Sequence, residues 1–412
     1  MNPLRQIEQE VLALGREWTR LELQKRLQAQ CDAMPLFSTQ ADQPLDNTRW
    51  RPLELDTVVG KVALKARHGH CSAGWFCPAR EAWGLQPYER KTPELQARLA
   101  YTASVVGSYA EAETMATTWG TPVSDGSIHH QVQKLGQQAQ TLELPTPVVA
   151  RAEPPFSLVI MMDGWMARER GTDWGAGPRK QDPQRVDWKE IKSAVLYRLE
   201  QRVENARGRG LLLEKYVAAT PPDTSPTEFG RQVQQEALRR GLARAQVVYL
   251  VMDGAVWLWD LAEDRFKDTC KTLDFHHARE HLNAIAEMLY GPGTDAAQQW
   301  LKGLLHQLRH GQETLVVRRL EDLLESQTER AQEARELIAR EVNYFQEHRE
   351  HIHYRQMEKA GAPLGSGAVE SLGKQLQRRM RGCGQFWSRT GLTHLLWLSV
   401  LVKNGDDPLL WN

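Results

Sequence analysis

Apolar residues recur at helical intervals through the first 34 residues, where Ile7, Leu12, Leu14 and Trp18 stand among Glu, Arg and Gln, and this predicts an amphipathic helix. A proline-containing polar connector, "MPLFSTQADQPLDNTRWRP", follows. The period then shortens to two in "LDTVVGKVALKARHGHC", the pattern of a small hairpin. From Thr92 to Gln140 the pattern is helical again, and "LELPTPVVARAEPP" marks a domain boundary near residue 150. Residues 1–148 therefore read as a mainly helical N-terminal region.

Beyond the boundary, strands alternate with helices. "FSLVIMMDGW" is a buried apolar strand ending in Asp163, and "WKEIKSAVLYRLEQ" and "GRGLLLEKYVAAT" alternate like the next two strands of a meander. "SPTEFGRQVQQEALRRGL" has a Ser cap and an early proline, the start of a helix. "AQVVYLVMDGAVWLW" is another apolar strand, ending in Asp253, and "KTLDFHHAREHLNAIAEMLYG" is a short strand passing into a helix. This is an α/β layer pattern. It occupies 151–290, gives way to a purely helical stretch over 291–360 rich in Glu, Arg and Gln, and resumes over 361–412.

Composition narrows the class. With 412 residues, 41% apolar and 25% charged, the chain is long enough for two or three ordinary globular domains. No apolar run approaches the roughly 18 residues that span a bilayer, so an intracellular protein is expected, with no membrane partner. The 52 basic and 52 acidic residues cancel, so a polyanion would have to be held by local patches. Cys31, Cys71, Cys77, Cys270 and Cys383 are odd in number and scattered, which suits reduced thiols in a cytoplasm. Cys71 and Cys77 in "HGHCSAGWFC" are separated by more residues than a zinc knuckle uses, which argues against zinc there despite His68 and His70 beside them.

The candidate chemistry lies in carboxylates. Two apolar strands end in the same dipeptide, Asp163-Gly164 and Asp253-Gly254, at the rim where α/β sheets place ligands. Either dipeptide alone could simply start a turn. A third acid stands in "LGSGAVESLGKQLQRRM", where a Gly-Ser-Gly turn opens a helix that places Glu370, Lys374 and Arg378 on one face. If the three acids met, they would repel one another unless a cation lay between them. All-oxygen donors favour Mg2+ or Mn2+, and a pair of such ions activates a nucleophile and stabilises the leaving oxygen in phosphoryl transfer. Lys374, Arg378, Arg379 and Arg381 would then neutralise nucleic-acid phosphates.

These residues resemble insertion-sequence transposases with a ribonuclease H-like DDE catalytic domain. The resemblance rests on "MMDGWMARERG", "WKEIK", "VVYLVMDGAVWLWDLAEDRF", "LDFHHAREHL" and "GSGAVESLGKQLQRRMRGCGQFWSRTGL" in that order, over about residues 155–405. It implies a mixed sheet flanked by helices and interrupted by an all-α insertion. It also implies Asp163, Asp253 and Glu370 as catalytic ligands of two Mg2+ or Mn2+ ions, and Asp274 and His277 of the Asp-x-x-His element lining or bracing the site. The activity implied is cleavage of double-stranded DNA at element ends and strand transfer into a target, by an oligomer assembled through the N-terminal helices or the insertion. The setting implied is a bacterial cytoplasm and nucleoid. A domesticated relative that binds DNA without transposing is the alternative.

Other motifs remain open. His277-Ala-Arg-Glu280-His281 matches the H-x-x-E-H zinc-peptidase signature, although no third ligand is apparent. Residues 110–136 read as a helix-turn-helix with its turn at Gly120, or as a helical pair that only packs. As a DNA reader its second helix would offer Ser127, His129, His130, Gln131 and Lys134. Trp300 has leucines at helical spacing and reads as core in preference to a base-stacking residue. The run from Lys374 to Arg389, with Trp387, has five cations and no acid, which makes it the main DNA-contacting candidate.

Overall fold

In the computed structural model, which describes residues 2–145, 154–175, 185–206, 210–326 and 332–411, helix α1 (Pro3–Ala33) begins at a cap. The Asn2 side chain accepts the Leu4 amide at 2.9 Å, and Pro3 takes a position whose N–H would be unpaired anyway. A two-residue pair, β1 (Phe37–Ser38) with β2 (Gln43–Pro44), leads into an antiparallel sheet of β3 (Asp46–Thr57), β4 (Gly60–Cys71) and β5 (Gly74–Phe76). The segment Asp46–Pro52, expected as connector, is strand. Arg49 to Pro52 pair in register with His68 to Lys65, and Pro52 is tolerated because β3 is an edge. Leu53, Leu55, Val62 and Leu64 pack with Cys31 and Cys77. Burial pushes the Cys77 thiol up and the Cys31 thiol to about 11, so both are core thiols.

Four helices complete this unit: α2 (Pro78–Ala82), α3 (Pro93–Val105), α4 (Tyr109–Thr118) and α5 (Asp125–Thr141). Gly120, with φ +81°, makes the turn between the last two, and Ala116 before it is fully buried. Residues Gly405–Asn412 cluster with Met1–Gln140 and not with the α/β layer expected to resume over 361–412, through contacts of Asp407–Trp411 with α3.

The second unit, Thr141–Asn404, is a mixed α/β unit. It opens with β6 (Ser157–Arg170), β7 (Val186–Arg198), β8 (Arg202–Glu204), β9 (Gly210–Leu212) and β10 (Tyr216–Thr220). Then come α6 (Pro226–Arg239), β11 (Val247–Met252), α7 (Val256–Arg265), β12 (Cys270–Leu273) and α8 (Phe275–Tyr290). Five of these strands form one sheet in the order β10-β7-β6-β11-β12, antiparallel from β10 to β6 and parallel from β6 to β12. "GRGLLLEKYVAAT" is not one strand. Its described part divides into β9, which pairs with β8 in a separate ribbon, and β10, which joins the sheet. Alternation along β6 sends Leu158, Ile160 and Met162 against Phe229 and Val233 of α6 and Leu258 and Leu261 of α7.

Helices α9 (Asp295–Arg309), α10 (Glu313–Ser326), α11 (Gln332–Glu347) and α12 (Tyr354–Lys359) follow. Their core includes Ala278, Leu282, Ile285 and Ala286, so α8 already belongs to the helical packing expected to start at residue 291. Trp300 packs against this core. Two last helices, α13 (Gly367–Met380) and α14 (Arg389–Asn404), return to the sheet, α13 against β6 and α14 against β10. Among the described residues, no helix is long and apolar enough to cross a membrane.

Candidate active site

Strand register aligns the acids. Met161 of β6 lies opposite Val251 of β11, and Val251 opposite Thr272 of β12. Two residues further along come Asp163, Asp253 and Asp274, which therefore stand at one level where the parallel ladder ends; β6 does not end at Asp163 as expected but runs on beside β7 to Arg170. Glu370, in the first turn of α13, is close enough to act on Asp163 and clusters with Asp274 and His277. Asp163 is pushed up to about 6 first by burial and second by the Asp253 carboxylate, with a smaller push from Glu370. The Gly164 amide, donating to its Oδ1 at 2.7 Å, and the nearby His277 oppose the shift. Ligand atoms of Asp274, His277 and Glu370 all lie within 4.8 Å of one another.

Asp274 nevertheless differs from the others. It is fully buried and caps α8, its Oδ1 accepting the amides of His276 at 2.5 Å and His277 at 3.3 Å. Its Oδ2 accepts the Ser366 amide at 2.5 Å, and the Phe275 amide donates to Leu364 O at 2.9 Å. Asp274 thus joins the start of α8 to the turn that launches α13. Proximity alone admits it as a metal ligand, but three backbone N–H groups already occupy its oxygens, and we read it as the residue that positions Glu370 and His277. Gly365 fits this junction, because a Cβ there would come within 2.7 Å of the His276 ring.

Helix α11 supplies groups that the sequence reading missed. Arg340, Glu341 and Tyr344 line a cavity with Asp253, His277 and His281. Glu341 is 3% exposed; it binds His281 Nδ1 and receives Arg340 at 2.6 Å. The Tyr344 ring stacks on His281 with centroids 3.6 Å apart. Its hydroxyl is buried without a hydrogen-bond partner among the described residues, and burial, then the Asp253 carboxylate, push its ionisation far up, so it remains a donor. Glu341 had a legible signal: it falls on the same helical stripe as Ile338, Val342 and Phe345, where a charge is out of place. His281 of the H-x-x-E-H motif is therefore engaged by Glu341, while His277 faces Asp274 and Glu370.

Gly254 explains how α11 is docked, since a Cβ there would be driven into the Tyr344 ring. Gly254→Ala is expected to destabilise the protein by about 1–3 kcal/mol through overpacking, with Gly164→Ala milder because only the flexible Glu190 side chain is in its way. Chemical denaturation measures both; an equal or larger loss at Gly164 would refute this account of the docking.

The expected DNA-contacting run divides sharply. Lys374, Arg378 and Arg381 are exposed, with Lys374 3.6 Å from Glu370 and the Arg381 guanidinium 4.8 Å from the Trp188 ring. Arg379 is 1% exposed and lies over the Trp387 ring at 5.3 Å, while the Trp387 indole donates to Met380 O at 2.7 Å, so both are interior and not DNA contacts. Arg389 is committed to Glu169 and Asp223, each at 2.6 Å. Because the Glu169 carboxylate is buried, Arg389→Ala is expected to destabilise by about 2 kcal/mol or more, checked by thermal melting against an unchanged Arg378→Ala.

In the N-terminal unit, His130 is exposed, and exposed His129 packs edge-on to Tyr109. Lys134 pairs with Glu89 at 2.6 Å and Gln131 is buried against Gln96, so neither projects freely as a reading residue. The β3–β5 sheet carries a surface that alternation did not announce. Trp50 lies under Arg67 at 4.9 Å and Trp75 under Arg51 at 5.3 Å, and both rings are about half exposed.

Neither a family model nor a curated protein matches the sequence. Among solved structures, the chain is similar to one titled "Drosophila P element transposase strand transfer complex", at 9% identity and a TM-score of 0.35, over 76% of this chain and 92% of that one. A likeness at that level assigns neither fold nor function.

Proposed function

We propose that the protein is a DDE-type DNA transposase whose second unit is ribonuclease H-like, interrupted by the helical segment after α8. The observation that carries this reading is the alignment of Asp163 and Asp253 on neighbouring parallel strands with Glu370 on the crossing helix, where Asp163 is held up to about 6 by burial and by the carboxylates beside it. Uncompensated negative charge of this kind fits a divalent cation, and the donors fit Mg2+ or Mn2+; His277 as a further donor would favour Mn2+. Asp163, Asp253 and Glu370 would hold the ions, which supply charge stabilisation and an activated oxygen nucleophile when bound.

The chain's own groups set the rest. Water attacks the scissile phosphorus and the bond to the 3′-oxygen breaks, leaving a 3′-hydroxyl. That hydroxyl then attacks a target phosphorus and displaces another 3′-oxygen, so each bond formed matches one broken. Tyr344 offers a protonated donor to a phosphate oxygen, and His281, held by Glu341, can take or return a proton at its other ring nitrogen. Lys374, Arg378 and Arg381 steer phosphates, and the Trp50, Trp75 and Arg67 surface stacks or clamps DNA.

The test is purified protein with DNA carrying the sequences that flank its coding region, in Mg2+, Mn2+ or EDTA. Cation-dependent nicking that yields 3′-hydroxyl ends is expected. DNA binding without nicking in either cation would favour the non-transposing relative, and cation-independent nicking would sink the reading. Zinc as the activating ion, together with peptide hydrolysis, would support the H-x-x-E-H alternative.

A further inference from the structure

Helix α1 has two apolar faces, and only one is covered by its own unit. Leu27 and Cys31 pack into the hairpin core, while Arg20 donates to Lys61 O at 3.4 Å and Gln28 to Lys65 O at 2.9 Å. On the opposite side lie Leu4, Ile7, Val11, Leu14, Trp18 and Leu21, from 50% exposed at Leu21 to 72% at Leu14. Their spacing alternates three and four without interruption. That is the a/d repeat of a coiled coil, over about three heptads.

We propose that this face is covered by a second copy of the chain, as a parallel two-stranded coiled coil with Leu4, Val11 and Trp18 at a and Ile7, Leu14 and Leu21 at d. A two-fold axis makes such a seam complementary to itself. Its six side chains would bury on the order of 700 Å² per helix, close to the roughly 800 Å² per partner of a standard interface.

Gly15 is an independent sign. A glycine inside an exposed helix is about 1 kcal/mol worse than alanine, yet nothing among the described residues lies within 4 Å of where its Cβ would be. At position e it borders the hole that receives the partner's Leu14, one layer from the bulky Trp18. Charge selects the direction. In the parallel pair the facing flank acids are Glu17 and Glu22, and each already has a cation on its own helix, Arg20 at 2.6 Å and Arg26 at 2.7 Å. An antiparallel pair would set Glu17 against Glu10, whose partner among the described residues is the neutral Gln6 amide.

This inference does not depend on DNA cleavage. Sedimentation equilibrium of the full chain at micromolar concentration is expected to give a dimer. Leu14→Glu with Trp18→Glu should weaken association by about a hundred-fold or more, while Leu12→Glu, equally exposed at 59% but off the seam, leaves it intact. Because these positions are on the surface, circular dichroism and the melting temperature of the variants should show the fold retained. In a Cys383→Ser background, Val11→Cys should cross-link copy to copy on mild oxidation, since parallel strands place identical a positions face to face. A monomeric wild type, or a dimer that survives the double substitution, overturns the proposal; a Val11→Cys dimer that resists cross-linking overturns the parallel arrangement.

Discussion

Asp163→Asn is expected to abolish cation-dependent DNA cleavage, leave DNA binding unchanged, and raise the melting temperature of the metal-free protein at neutral pH. The first effect follows from losing a charged oxygen ligand in a site where bound ions contribute several kcal/mol to the transition state, a loss of about a thousand-fold or more. The second follows because the exposed cations and aromatics proposed to hold DNA are other residues.

The third has a sign set by the carboxyl's displacement. Asp163 titrates near 6 in the folded protein against an ordinary value of 3.8, so the folded state holds its proton more tightly. Stability from this group is fully present below about 4 and is lost as pH rises through about 6. Ionised Asp163 therefore costs at most about 3 kcal/mol in the absence of cations. Asparagine removes that cost, and with it the slope of stability between about pH 4 and 6. Mg2+ or Mn2+ should raise the melting temperature of the wild type above pH 6 and move the variant little. Retained cleavage would remove Asp163 from the mechanism. A variant that melts well below wild type at neutral pH in EDTA would falsify the repulsion account.

Asp274→Ala is expected to be the most destabilising single change in the site, by about 3–5 kcal/mol, whether or not divalent cations are present. The carboxylate satisfies the amides of His276, His277 and Ser366 in a fully buried position, and each orphaned buried donor costs about 1–3 kcal/mol, with partial relief from relaxation. An asparagine side chain in its place would restore one acceptor but point an amide donor at the Ser366 N–H, so Asp274→Asn should be nearly as harmful. This separates a positioning residue from a ligand. Asp253→Asn and Glu370→Gln should lose the cation-induced rise in melting temperature yet keep the metal-free stability. If Asp274→Ala instead kept its metal-free stability and lost only the response to Mn2+, Asp274 would be a ligand after all.

Local pattern carried the elements a long way. The apolar run before Asp253-Gly254 marked the end of β11, whereas β6 does not end at Asp163 as expected but continues to Arg170, because its pairing with β7 goes on past the point where β11 stops. "SPTEF" marked the start of α6 because a Ser cap followed by proline satisfies the first turn. The interior face of α13 was legible too. Val369, Leu372 and Leu376 lead at helical spacing to Arg379, so its burial could have been read from the stripe even though its charge suggested solvent. The Asp46–Pro52 strand was not legible, since its extended form depends on pairing with β4 and on lying at an edge that tolerates proline.

The amino-acid order was enough to single out Asp163, Asp253 and Glu370 as candidates and to name the strand and helix types that carry them, because each is a property of a few neighbouring residues. Which acids share a level, which one is used up as a helix cap, and which cations point inward rest on pairings between residues far apart in the chain. Asp274 meets Ser366, Gly254 meets Tyr344, and Arg389 meets Glu169 only once the sheet register and the docking of α11, α13 and α14 are set. Burial and long-range hydrogen bonds made those choices, and they have no counterpart in local periodicity.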